Sequence, residues 1–113
     1  MDLTKEHVNQ IIEWAKRHTE IKQIFLFGSR ARGESQAKSD IDLAVVMNTD
    51  KGPDFAYSMW SNWHRKYKRR PDLSLPFNVH LEWYEENAGL EIVAPSVERE
   101  GILIYAILSK QLN

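Results

Sequence analysis

The amino-acid sequence predicts an α/β layer fold in one domain spanning residues 1–113. Three observations predict it. Helical and strand periodicities alternate along the chain in the order α-β-α-β-α-β-α-β. The run Ile24-Phe25-Leu26-Phe27 is apolar on both faces, as a central strand covered on both sides is. The chain has 113 residues, 42% of them apolar and 27% charged, which is ordinary for a globular chain and leaves room for one core.

The elements follow in order. Val8, Ile11, Ile12 and Ala15 recur at helical spacing among Lys, Glu and Arg, so 4–19 is predicted as an amphipathic helix. Ile21 to Phe27 is a strand, stopped by Gly28. Gly28 to Ser39 holds two glycines and several small polar residues; it predicts a turn, one or two turns of helix and an exposed loop. Ile41 to Met47 is a second strand. Asp54 to about Lys68 is a helix opened by Pro53 and Asp54, with Ala56, Trp60, Trp63 and Tyr67 along its apolar seam. Pro71 closes that region. Phe77 to Trp83 is a third strand, and Pro95 to Glu100 a short helix with Pro at its first position. Ile102 to about Ala106 is the last strand.

Composition removes several function classes. Fifteen Lys and Arg against sixteen Asp and Glu leave a net charge of −1, which argues against a whole-surface binder of nucleic acid or membrane. There is no cysteine, so disulfide scaffolds, Cys-based zinc sites and thiol nucleophiles are excluded. The longest apolar run, Ile102 to Leu108, is seven residues. A membrane span needs about twenty. Met1 to Glu6 has no apolar stretch behind a basic start, so no signal peptide is expected and a cytoplasmic location is.

The chemistry is concentrated in Gly28-Ser29-Arg30-Ala31-Arg32-Gly33, followed by Ser39-Asp40-Ile41-Asp42-Leu43. An apolar strand runs into Gly-Ser and then a helix-competent segment. Glycine lets a phosphate approach the backbone, and a helix start offers N–H groups to it. Ser29 adds a hydroxyl donor, and Arg30 and Arg32 add cationic forks. Asp40 and Asp42 are two apart at a strand start, so both carboxylates share one face while Ile41 and Leu43 point into the core. Two like charges so placed raise each other's pKa, and a divalent cation relieves them. Hard oxygen ligands without Cys point to Mg²⁺ or Mn²⁺ rather than zinc. A phosphate grip beside metal-binding carboxylates is what phosphoryl or nucleotidyl transfer requires. Each half alone is more often a plain turn or an exposed strand start; their order and spacing together make the pattern specific. A P-loop is rejected, although Gly28 and Gly33 have its glycine spacing, because Glu34 stands where its Lys should be.

At these residues the sequence resembles the minimal nucleotidyltransferases of the DNA-polymerase-β superfamily. Their signature is Gly-Ser, a short helix with Gly, then an Asp-x-Asp strand. Glu98-Arg99-Glu100-Gly101-Ile102-Leu103-Ile104-Tyr105 looks like the family's closing segment. The resemblance implies an α+β arrangement, a small mixed β-sheet with helices packed on it. It implies transfer of a nucleoside monophosphate from an NTP, ATP foremost, to an acceptor hydroxyl with release of pyrophosphate. Gly28 and Ser29 would hold the triphosphate, with Arg30, Arg32, Gly33 and Ser39 completing the nucleotide site, and Asp40 and Asp42 would bind two Mg²⁺ ions. Many such proteins bind a helical HEPN partner, and some act as antitoxins that attach AMP to it; the alternative to such a partner is a homo-oligomer.

The sequence departs from the family at a third carboxylate, which usually lies on a later strand in a pattern like Val-Asp-Leu. Here that strand is Asn78-Val79-His80-Leu81-Glu82-Trp83, with His80 at the Asp position and Glu82 two residues on, on the same face. His80 can accept a proton when neutral, and Glu82 would reach the metal site on a register shift. The departure also supports a second reading: a catalytically impaired module that neutralises a partner by docking.

Three other features carry plainer expectations. Arg65, Lys66, Lys68, Arg69 and Arg70 are five cations that suit a helix C-terminus; contact with nucleic acid is the less favoured reading. Trp14, Trp60, Trp63 and Trp83 are expected in core or interface rather than stacked on a base. His7 and His18, eleven apart on the first helix, are given no metal role.

Overall fold

A computed structural model describes residues 1–86 and 93–107. The elements are α1 (Lys5–Arg17), β1 (Ile21–Phe27), α2 (Ser29–Arg32), β2 (Ile41–Met47), α3 (Pro53–Arg69), β3 (Val79–Trp83), α4 (Val93–Glu100) and β4 (Ile102–Ala106). The alternation predicted from sequence is present, and β1, β2 and β4 have the predicted limits.

The strands form one mixed sheet in the order β3-β2-β1-β4. β1 is antiparallel to both β2 and β4, whereas β3 is parallel to β2. One face carries the main core. There Ile24, Leu26, Ile41, Leu43 and Val45 pack against Ile11, Trp14 and Ala15 of α1 and Ala56, Trp60 and Trp63 of α3. Large side chains buried this way each contribute about 1.5–3 kcal/mol. On the other face Ala44, Val46, Tyr84 and Phe25 meet Val97 and Ala94 of α4. Covered at that end, the second face carries Asp42 and His80 further along the same strands.

Element ends differ from expectation for local reasons. Thr4 is the N-cap of α1 rather than part of it, accepting from the His7 N–H at 3.1 Å. The third strand begins at Val79, not Phe77, because its pairing with β2 starts at Ile41, opposite Val79; the Phe77 ring lies 4.0 Å under the Arg30 guanidinium. α4 begins two residues before Pro95, which is tolerated because first-turn N–H groups have no partner within a helix.

The tryptophans are used as expected. Trp14, Trp60 and Trp63 are core residues, and Trp83 packs half-buried with its ring 5.1 Å from that of Tyr57. His18 joins them. Its Nδ1 accepts from Trp63 Nε1 at 3.1 Å, and its Nε2 lies 2.9 Å from Asp72 Oδ2. Trp14 Nε1 donates to the other Asp72 oxygen at 2.7 Å. Burial favours the neutral Asp72 carboxyl, but these two bonds outweigh it and hold the carboxyl below its ordinary pKa. Lys66, Lys68 and Arg69 occupy the last turn of α3, where cations meet the negative end of the dipole. No helix among the described residues is long and apolar enough to cross a membrane.

Candidate active site

The site forms where β1 ends and β2 begins. Gly28 follows β1 with φ 78° and ψ −160°, a backbone conformation that favours glycine. A Cβ added there would lie 2.3 Å from Asp42 Oδ2. Glycine is thus favoured by its dihedral angles, and an added Cβ would require the Asp42 carboxylate to turn aside. α2 is a single turn. Gly33 ends it at φ 74°, donating its N–H to the Ser29 carbonyl, which also accepts from the Glu34 N–H at 2.9 Å.

Asp42 is flanked on both sides. Its cross-strand partners are Phe27 on β1 and His80 on β3. Ile41 and Leu43 are fully buried in the main core, so Asp40 and Asp42 are left on the opposite face, as their period-two spacing predicts. One imidazole reaches both carboxylates: His80 Nε2 lies 3.4 Å from Asp40 Oδ2, and Nδ1 lies 3.6 Å from Asp42 Oδ1. Burial pushes the Asp42 carboxyl above its ordinary pKa; His80 pulls it down, Asp40 pushes it up, and Arg32 pulls it down.

The remaining predicted residues divide. Arg30, expected at the nucleotide site, is buried, and all three guanidinium nitrogens are engaged within the protein. Nε and Nη2 donate to the Ser39 carbonyl at 3.1 and 2.9 Å, and Nη1 donates to the Asp2 carbonyl at 2.9 Å. It ties the α2 turn to the residue preceding Asp40. Ser39 is an organiser of the same loop, its Oγ accepting from the Gln36 N–H at 2.8 Å. Arg32 stays at the rim, half-exposed, with Glu34 on Nε and Glu100 on Nη1 at 3.1 Å. Glu82 lies opposite Ala44, one face repeat beyond His80, and the register carries no shift toward the carboxylates.

Two contributors escaped the sequence patterns. Asp2 accepts from both the N–H and the hydroxyl of Ser35, at 3.0 and 2.6 Å, which straps the N-terminus to the site loop. Nothing in the local sequence signals this pairing across thirty-three positions. The second is a groove of about 610 Å³ between the C-terminal half of α3 and β3, lined by His64, Tyr67, Lys68, Leu81, His80 and Glu82 among others. Its signal is faint: cations on one helix face and alternating residues on a strand. A groove of the same volume along α1 shares no residue with the site.

The carboxylate pair suits a hard divalent cation. Two oxygen ligands share one face, and the repulsion between them is what such an ion relieves. Among the described residues no group of three or more His, Cys, Asp and Glu side chains is arranged around a common ion position. His80 instead lies against the carboxylate oxygens themselves.

Residues 9–107 match the family model described as polymerase beta, nucleotidyltransferase. A search of curated proteins gives no match. Among solved structures, the chain is similar to a toxin–antitoxin crystallised with AMP-PNP, at 21% identity and a TM-score of 0.55, covering 92% of this chain and 75% of that one. It is also similar to a mutant of the toxin–antitoxin MntA–HpeT, at 20% identity and a TM-score of 0.55, covering 96% and 76%. At such identities the likeness is one of fold, and it fits the mixed four-stranded sheet.

Proposed function

The chain belongs to the polymerase beta nucleotidyltransferase family, and from that membership we propose that it transfers a nucleoside monophosphate from an NTP, ATP foremost, to an acceptor hydroxyl. The observation that carries the reading is the apposition of the Gly28 turn, Asp42 and His80 at one end of the sheet. The Gly28–Ser29 turn takes the phosphates, close to the backbone because no Cβ intervenes. Asp40 and Asp42 would hold Mg²⁺, which would supply positive charge against the phosphates. Arg32 adds a cation at the rim, while Arg30 positions the loop from below.

His80 receives the acceptor's proton. The acceptor oxygen forms a bond to the α-phosphorus as the bond to the bridging oxygen breaks, and pyrophosphate leaves with that electron pair. The proton moves to an imidazole nitrogen of His80, on the face it shares with both carboxylates. The likeness to toxin–antitoxin structures supports an antitoxin role with a protein partner; a HEPN-like identity for that partner, AMP as the transferred group and a cytoplasmic location complete the proposed reading.

The test is incubation with α-labelled ATP, Mg²⁺ and candidate acceptors, including the product of a neighbouring gene. Label should pass to the acceptor with the wild type and not with Asp40→Asn. An equal blank from both would sink the reading.

The histidine at the third-carboxylate position favours one second reading, an antitoxin that works by docking alone. In that case Asp40→Asn leaves neutralisation of the partner untouched. Loss of neutralisation by a variant that still folds and binds would exclude it.

A further inference from the structure

The strand that carries His80 is at the edge of the sheet. Among the described residues β3 pairs only with β2. The Asn78 carbonyl accepts from the Ile41 N–H at 2.8 Å, and the Tyr84 N–H donates to the Val45 carbonyl at 3.0 Å. In a parallel ladder these bonds alternate, so Asn78, His80, Glu82 and Tyr84 direct their backbone groups toward β2. The N–H and C=O groups of Val79, Leu81 and Trp83 face the open side. Such an edge is a template for another strand.

The groove of about 610 Å³ is lined by Asn78 to Glu82 at this edge, by His64, Tyr67 and Lys68 of α3, and by Pro71, Leu73 and Phe77 between them. Its lining is chemically divided. On the face shared with Asp42 are His80 and Glu82. On the α3 side are the aromatic surfaces of His64 and Tyr67 and the ammonium of Lys68. The His64 ring stacks on Trp60 at 4.4 Å, and burial, with Lys68 beside it, lowers its pKa. Lys68 is therefore the cation of that wall at neutral pH.

We propose that the open edge of β3 is the acceptor's docking site, taking an extended polypeptide segment by strand addition, with its hydroxyl residue opposite His80 and an acidic residue on its other face beside Lys68. The inference rests on the transferase reading for its hydroxyl and extends it to a recognition mode. Period two separates the two roles, since adjacent residues of an added strand point to opposite faces. An antiparallel segment would meet His80 in a narrow pair, Cα atoms about 4.5 Å apart, which brings the facing side chain against the imidazole. Main-chain bonds to Val79, Leu81 and Trp83 supply affinity, and Lys68 supplies selection.

The test uses the full chain and a synthetic twelve-residue probe of alternating Thr and Val with a central Tyr flanked by Asp. Binding is followed by fluorescence anisotropy, and ATP binding is measured by calorimetry in the same samples. Wild type should bind the probe. Lys68→Glu should weaken it about tenfold, and a probe with Lys in place of Asp should regain that loss. Leu81→Pro removes one outward N–H and should lose the probe while keeping the bonds to β2. Should that variant fail to fold, the charge exchange at Lys68 still decides. Probe binding indifferent to the charge exchange, or absent from wild type, overturns strand addition. ATP binding reports separately on the nucleotide side, so the two readings fail distinguishably.

Discussion

The Asp42 carboxylate lies where the side chain of any residue but glycine at position 28 would begin, with Oδ2 only 2.3 Å from the Cβ that such a residue would add. The Gly28 turn and the start of β2 are therefore set close enough that a side chain at position 28 would require the Asp42 carboxylate to move.

Gly28→Ala should be costly on two counts. Its φ of 78° disfavours alanine, and the new methyl must displace Asp42. The expected loss is about 1–3 kcal/mol of stability, measured by urea unfolding. ATP binding should fall in the fraction that remains folded; a variant that binds ATP as wild type does would contradict the geometry.

Asp42→Asn should trade stability against function. The native carboxyl has a raised pKa, so its relative stability is complete below the ordinary value of 3.8 and is lost as pH rises through the raised native value. The variant should therefore melt above wild type at pH 7 without divalent cations, and the gap should close as pH falls below 3.8. Label transfer should be abolished. Mg²⁺ with ATP should raise the melting temperature of wild type only.

His80→Asp would set three carboxylates on the site face. Without divalent cations it should melt below wild type, since Asp40 and Asp42 gain a like charge in place of an imidazole. Mg²⁺ or Mn²⁺ should recover the loss. His80→Ala should keep ATP binding and lose transfer, the split expected of a proton acceptor; loss of both together would assign His80 to nucleotide binding.

Arg30→Met should cost about 2–3 kcal/mol by denaturant unfolding, because it leaves the Ser39 and Asp2 carbonyls without their charged donor. Arg30→Lys should recover only part, since one ammonium cannot reproduce the planar fork. If either variant lost ATP affinity with no loss of stability, Arg30 would belong to the nucleotide site after all.

Acid should loosen the join between α1 and the segment after α3. Asp72 has a lowered native pKa, so its contribution is present above 3.8 and is lost as pH falls through the native value. Asp72→Asn should therefore flatten the acid limb of the stability curve below that pH, and parallel acid limbs would remove the role.

What was legible in the chain was what is local. The limits of β1 and β2, the turn at Gly28 and the shared face of Asp40 and Asp42 all follow from neighbours within a few residues, where periodicity and glycine speak directly. Pairings between distant segments were not legible. An arginine beside Gly-Ser has no local mark of burial, so the packing of Arg30 is not readable there; its partners Asp2 and Phe77 are 28 and 47 positions away. His80 was legible as an oddity of the strand. That its ring spans both carboxylates depended on the parallel register of β3 on β2, which no pattern within β3 specifies.

The mixed sheet has a consequence for how the site is encoded. Gly28 and Asp40 lie in the connection 28–40 between the antiparallel strands β1 and β2, and Asp42 lies in β2, so the residues proposed to handle the nucleotide belong to one contiguous unit. His80 arrives on a parallel strand after the whole of α3. The segment after α3 sets where that strand begins, whereas the connection 28–40 is set by its own local bonds. Under the proposed function, the donor side is then encoded in one local stretch and the acceptor side in a separate, later one.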